Sequence, residues 1–160
     1  MPMSGDDRGP HVLVPPPLLF AVAYVAAWLL NRRLEFSING SGAGPVQVGV
    51  GSAGLAAGIG LAGWAVVTFV RARTSVQLHR PARQLVTWGP YRFTRNPIYL
   101  GLATAYLGLA LVRNEAWPLV LLPVVIATIA VAVIRREERY LGRTFPAEYE
   151  AYRQHVRLWI

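Results

Sequence analysis

The chain has 160 residues, 54% of them hydrophobic, a positive mean hydropathy and no cysteine, so disulfides, thiolate catalysis and cysteine-bound metals are excluded at the outset. Its net charge of +8 comes from sixteen basic residues, all of them arginine, against eight acidic ones. Such an excess suits nucleic acid or an anionic membrane surface, but these arginines flank apolar stretches and form no soluble patch with stacking aromatics, so nucleic acid is not an expected partner and membrane lipid is. His11, His79 and His155 stand at no metal-ligand spacing, and no metal is expected.

In chain order, a loose Gly/Pro-bearing start of about a dozen residues precedes a first apolar stretch, 17–30. With Arg8 before it, this stretch resembles the apolar region of a signal peptide. Asn31-Arg32-Arg33 follows it where a small-x-small cleavage site would stand, so an uncleaved first span is expected. A Gly/Ser/Pro-rich loop, 37–45, leads to a second stretch, 46–70, which at about 1.5 Å per residue is long enough to cross a hydrocarbon core of roughly 30 Å. This stretch holds Gly49, Gly51, Gly54, Gly58, Gly60 and Gly63. The four-residue spacing of Gly54 and Gly58 predicts close approach of a neighbouring helix, with self-association as a second reading. Two shorter stretches, 97–112 and 118–134, borrow flanking residues to span.

The expected fold is therefore all-α, a single membrane domain over residues 1–160 with four transmembrane helices at about 14–33, 46–70, 97–113 and 117–135. Segments 73–99 and 135–160 fall on one side, with a C-terminal amphipathic helix in the second. An even number of spans puts Arg8, the six arginines between Arg71 and Arg95 and the six from Arg135 to Arg157 on one side, and Arg32, Arg33 and Arg113 on the other. The positive-inside bias then predicts that both termini are cytoplasmic, and a bacterial inner membrane is the expected location.

The segment Gly89-Pro90-Tyr91-Arg92-Phe93-Thr94-Arg95-Asn96-Pro97-Ile98-Tyr99-Leu100-Gly101 runs from a polar, arginine-bearing turn straight into an apolar span. Pro97 suits the first position of a helix and pushes Asn96 into a capping conformation. That places a helix N-terminus, with its free N–H donors and positive pole, at the membrane face, where it favours an anionic group delivered from the water side. After the fourth stretch, Arg135-Arg136-Glu137-Glu138-Arg139-Tyr140 continues as a helix. An Arg135–Glu138 pair at i,i+3 is expected, and because adjacent helical residues diverge by about 100°, one carboxylate can pair while the other faces a ligand. Pro146 starts a last short helix on which Tyr149, Tyr152, Val156 and Trp159 make one stripe, an interfacial helix or a lid.

Taken together, Arg73-Thr74-Ser75-Val76, the run Leu85-Val86-Thr87-Trp88-Gly89-Pro90-Tyr91-Arg92, the run Arg95-Asn96-Pro97-Ile98-Tyr99-Leu100-Gly101, Glu137-Glu138 with Leu141 and Phe145, and the final aromatic stripe resemble the isoprenylcysteine carboxyl methyltransferase and phospholipid methyltransferase superfamily. The resemblance implies an integral-membrane methyltransferase using S-adenosyl-L-methionine and releasing S-adenosyl-L-homocysteine, with a lipid or hydrophobic small molecule as acceptor. It implies cofactor contacts from Leu85, Val86, Tyr91, Asn96, Pro97, Tyr99 and Glu137. Arg95 and Glu138 are the catalytic candidates, Arg95 to orient an anionic nucleophile and Glu138 to take a proton from an amine, and Tyr152, Arg157 and Trp159 are the acceptor-side candidates. The chain carries Asn96 where prenylcysteine methyltransferases have histidine, and Val133 where they have a substrate-associated arginine. The alternatives are an NADPH-dependent membrane reductase of sterol-reductase type and a non-catalytic lipid- or partner-binding scaffold.

Overall fold

Proline occupies the first or second position of five of the six α-helices among the described residues, where its fixed φ is already helical and its missing N–H costs nothing. The computed structural model describes residues 15–72 and 84–160. The stretch Arg73 to Val76, together with His11 and His79, lies outside the described residues. The elements are α1 (Pro16–Arg33), α2 (Pro45–Arg71), a single 3₁₀ turn (Gly89–Arg92), α3 (Pro97–Arg113), α4 (Trp117–Ile129), a π-helical turn (Ala130–Ile134), α5 (Arg135–Thr144) and α6 (Pro146–His155). Among the described residues there is no strand, only an isolated bridge between Ser37 and Glu115.

The helix of the fourth apolar stretch continues past residue 135, as expected. It runs without a break from Trp117 to Thr144 as 28 residues, its last third carrying the charges of α5. This continuous helix and α2 are long and apolar enough to cross a membrane, and α3 is a shorter apolar helix. The 18 residues of α1 end in Asn31-Arg32-Arg33, which lowers their mean hydropathy. Among the described residues two helices, rather than the four expected, thus meet the length and composition for a span.

Helices α2 and α3 make the closest packing in the bundle, and glycine is the reason. A Cβ placed on Gly58 would sit 2.4 Å from the Ala105 nitrogen, and one on Gly108 would sit 2.3 Å from the Leu55 nitrogen. Gly51 and Gly101 are similarly crowded, whereas Gly60 and Gly63 face open space. The glycines of α2 therefore meet glycines of α3 within one chain, the small-residue packing that lets helices associate where no hydrophobic effect drives them together.

On the other side of α3, the main core joins Phe20 of α1, Tyr99, Ala103 and Tyr106 of α3, and Leu122, Val125, Ile129, Val133 and Ile134 of the continuous helix. The burial of both Val133 and Ile134 follows from the π turn, which inserts one residue and so brings two successive side chains inward. At the end of the bundle away from α5, Tyr24 donates to Glu115 at 3.1 Å, Arg113 pairs with Glu115 at 3.0 Å, and Gln47 and Asn114 tie the two loops together. These groups satisfy one another.

The C-terminal stripe departs from a membrane-surface helix. The helix α6 ends at His155, Val156 is extended, Tyr149 and Tyr152 are buried, and Leu158 and Trp159 pack on the main core. Its aromatic residues face protein.

Candidate cofactor site where α3 meets α5

The site is built on a corner at Trp88-Gly89-Pro90. Gly89 has φ of +65°, in the left-handed region that glycine adopts without strain, and a Cβ there would lie 2.9 Å from the Thr68 hydroxyl oxygen. The corner lets the 3₁₀ turn press Tyr91 inward against Phe69 of α2, edge to face with ring centroids 5.0 Å apart. Tyr91 is 6% exposed, and its hydroxyl is buried with no hydrogen-bond partner. Burial, and then the Glu137 charge, push that hydroxyl far above the usual tyrosine range, so it is present only as a proton donor.

Glu137 lies on α5, outside the apolar part of the helix, which ends at Ile134. The Tyr99 hydroxyl, in the first turn of α3, donates to Glu137 Oε1 at 2.8 Å. Burial pushes the Glu137 carboxyl up to about 7; the Tyr99 hydrogen bond pulls it back and the neighbouring Glu138 pushes it further up. The residue nonetheless keeps partial exposure, as a ligand-facing carboxylate must. The start of α3 and the polar continuation of α4 therefore meet directly, through the Tyr99–Glu137 hydrogen bond.

Glu138 points elsewhere, as the 100° divergence of neighbours demands. Its Oε1 is held by Arg95 Nη1 and accepts from the Tyr149 hydroxyl at 3.1 Å, while Arg95 Nε is buried without a partner. The expected Arg135–Glu138 pair is not what forms. Arg135 is exposed, where a pair gains little over water, and Arg95 reaches Glu138 from the sheltered side. Burial pushes the Tyr149 hydroxyl up to about 12, with the Glu138 charge adding to it and the Arg95 hydrogen bond opposing. Tyr149 was visible in the sequence only as part of a stripe; its contact with this ion pair had no signal.

Asn96 also departs from expectation. It has the non-helical backbone of a cap residue, φ −128° and ψ 52°, yet its side chain does not cap α3. Instead Nδ2 donates to the Leu158 carbonyl at 3.0 Å, the Thr94 hydroxyl donates to the same carbonyl at 3.1 Å, and the Arg95 N–H donates to the Arg157 carbonyl at 3.0 Å. The side chain is spent on the C-terminal tail because that tail brings two unpaired carbonyls within reach. Pro97 is fully buried beside it.

The remaining candidates divide. Tyr152 donates to the Tyr91 carbonyl at 2.6 Å, fastening α6 over the 3₁₀ turn. Val86 is buried beside Tyr91. Leu85 and Tyr152, with Thr87, Glu148, Ala151 and His155, line an open cleft of about 370 Å³ between the segment before the corner and α6, which Tyr91, Asn96, Tyr99 and Glu137 do not line. Thr87, Glu148 and His155 were not singled out in the sequence as members of any site. The Arg157 side chain is exposed and only its carbonyl joins the site, while Trp159 is partly buried against the core. Val133 is buried at 1% exposure in the main core and faces no ligand space.

A family model for phospholipid methyltransferases matches residues 46–148, from the start of α2 into α6. The chain belongs to the phospholipid methyltransferase family. It is a membrane protein of a methyltransferase family, and the match includes the corner, the α3 start and both carboxylates. Neither the curated proteins nor the solved structures contain a match.

Proposed function

We propose that this protein transfers a methyl group from S-adenosyl-L-methionine to a lipid or hydrophobic acceptor at the cytoplasmic membrane face, with α1 to α4 as four spans. The observation that carries the reading is the buried, partnerless Tyr91 hydroxyl beside Glu137. A buried donor without an acceptor costs on the order of 1–3 kcal/mol, and a bound nucleoside-bearing ligand would relieve that cost.

The residues fit the cofactor. Glu137 would hold hydroxyl or ammonium groups, Tyr91 would donate to it, and Leu85, Val86 and Pro97 would form apolar wall, with Asn96 and Tyr99 shaping the pocket from the α3 start. When bound, the cofactor supplies a methyl group already activated on a sulfonium, so the protein's share is to hold the acceptor in line and exclude water. Arg95 orients an anionic nucleophile through its unused Nε, and Glu138 takes the proton of an amine acceptor, an ammonium then competing with Arg95 for that carboxylate. Tyr152, Arg157 and Trp159 border the acceptor, with Tyr152 fastening α6 over the 3₁₀ turn. The acceptor enters laterally from the bilayer between helices.

Calorimetry with S-adenosylhomocysteine on the protein in detergent tests the reading. Saturable binding supports it, and binding of NADPH alone, or of neither, overturns it. The pH dependence is a second check. Glu137 must be ionised to hold a cationic or hydroxyl-bearing partner, and its carboxyl is raised to about 7. Below that value the competent fraction falls, so affinity for S-adenosylhomocysteine should weaken about tenfold per pH unit below 7 and level off above it, with proton release on binding near neutrality.

A further inference from the structure

Tyr99 is expected from the family resemblance to line the cofactor pocket, yet its hydroxyl is already committed: it donates to Glu137 Oε1 at 2.8 Å across the junction of α3 and α5. The residue is 8% exposed, and its position in the first turn of α3 is fixed by the buried Pro97 two residues before it. The carboxylate it holds sits on a helix whose phase is shifted by the π turn, so without a contact from α3 the direction of Glu137 would rest on its own rotamers.

We propose that Tyr99 is a positioning residue that acts through Glu137, fixing the direction of the carboxylate at the α3–α5 junction and holding it ready to accept a proton-donating or cationic group. The inference rests on the cofactor reading above. It differs in what it gives Tyr99: a hydrogen bond to the charged form of Glu137, in place of a wall contact with the ligand.

The groups facing Glu137 are few and each has a sign. Tyr99 from α3 favours the ionised form by donating to it. Tyr91 from the 3₁₀ turn lies close enough to sense the Glu137 charge. Glu138 on the same helix opposes ionisation as a like charge, tempered by its own pairing with Arg95. Removing the Tyr99 hydroxyl therefore removes the hydrogen bond that offsets burial, and Glu137 should ionise only at higher pH.

The experiment is calorimetric binding of S-adenosylhomocysteine from pH 5.5 to 9 for the wild type, Tyr99→Phe, Glu137→Gln and the double variant. Tyr99→Phe should shift the midpoint of the affinity profile upward by about one pH unit, which weakens binding roughly tenfold near pH 6 and leaves it nearly unchanged at pH 9. On the Glu137→Gln background the same substitution should add little, since both act through one contact. A pH-independent loss in Tyr99→Phe, or full additivity with Glu137→Gln, overturns the proposal in favour of a direct wall contact. Site-specific 3-fluorotyrosine at position 99, a stronger donor of nearly the same shape, keeps the test open if Tyr99→Phe does not fold; it should move the midpoint down, and an unmoved midpoint counts against the proposal. Absence of any binding by the wild type sinks the cofactor reading itself, whereas binding with superimposed pH profiles sinks only the role given to Tyr99.

Discussion

Replacing Glu137 by Gln should weaken S-adenosylhomocysteine binding about 30- to 100-fold at pH 8 and lower methyl transfer at least in proportion. The magnitude is that of a hydrogen bond to a charged group, about 2–3 kcal/mol. Glutamine has nearly the same shape and its amide oxygen still accepts from Tyr99, so the α3–α5 junction survives. Folding should not suffer: the carboxyl is raised by burial, so the native state holds its charged form at a cost that a neutral amide does not carry. Thermal unfolding of the ligand-free variant at pH 8 should match or slightly exceed the wild type, while the stabilisation given by added ligand disappears. If the residue is only a structural strut, the reverse holds: the ligand-free melting temperature drops and ligand affinity is unchanged. Glu138→Gln separates the two carboxylates, because it removes the charge that Arg95 pairs with, weakens the contact with Arg95 and Tyr149, and should loosen α6 without the same loss of cofactor affinity.

The parts of this arrangement that sequence could reveal are those fixed by local chemistry. Pro97 dictates where α3 begins, the apolar length of 46–70 dictates a span-length helix, and two adjacent carboxylates on a helix must diverge. The contact between the α3 start and the α5 carboxylate was legible in outline, because Tyr99 and Glu137 stand in an ordered set of motifs. The parts that stayed hidden depend on through-space choices. Glu138 had a local partner available in Arg135 and took Arg95 instead, because tertiary packing offered a sheltered guanidinium. Asn96 had the backbone of a cap and gave its amide to Leu158, a residue 62 positions away. The π turn at Ala130-Val131-Ala132-Val133-Ile134 has no compositional mark, since small and branched apolar residues also make ordinary helix, yet it sets the direction in which Glu137 points. The glycines of α2 announced a close contact, but only the fold shows that α3 answers it.

That last contact supplies the other large effect. Gly58→Ala and Gly108→Ala should each destabilise the protein by about 1–3 kcal/mol, read from unfolding in detergent, because the added methyl meets backbone atoms and no flexible side chain can move aside. Helix propensity alone predicts the opposite sign, a gain of roughly 0.5–1 kcal/mol for replacing a mid-helix glycine by alanine. Gly60→Ala and Gly63→Ala lie on the same helix with nothing within 4 Å, so they isolate that gain and should be neutral or slightly stabilising. The damage at Gly58 should also travel. Ten residues further along α2, Thr68 lies under Gly89 and Phe69 packs on Tyr91, so pushing α2 away from α3 loosens the floor beneath the 3₁₀ turn while leaving Tyr99 and Glu137 on their own helices. Gly58→Ala should therefore weaken S-adenosylhomocysteine binding without changing the pH at which affinity levels off, a combination that separates a misplaced Tyr91 from a mistuned Glu137. Unchanged affinity in a folded but destabilised Gly58→Ala would show that the α2–α3 seam supports the bundle alone and that the corner at Gly89 holds Tyr91 without it.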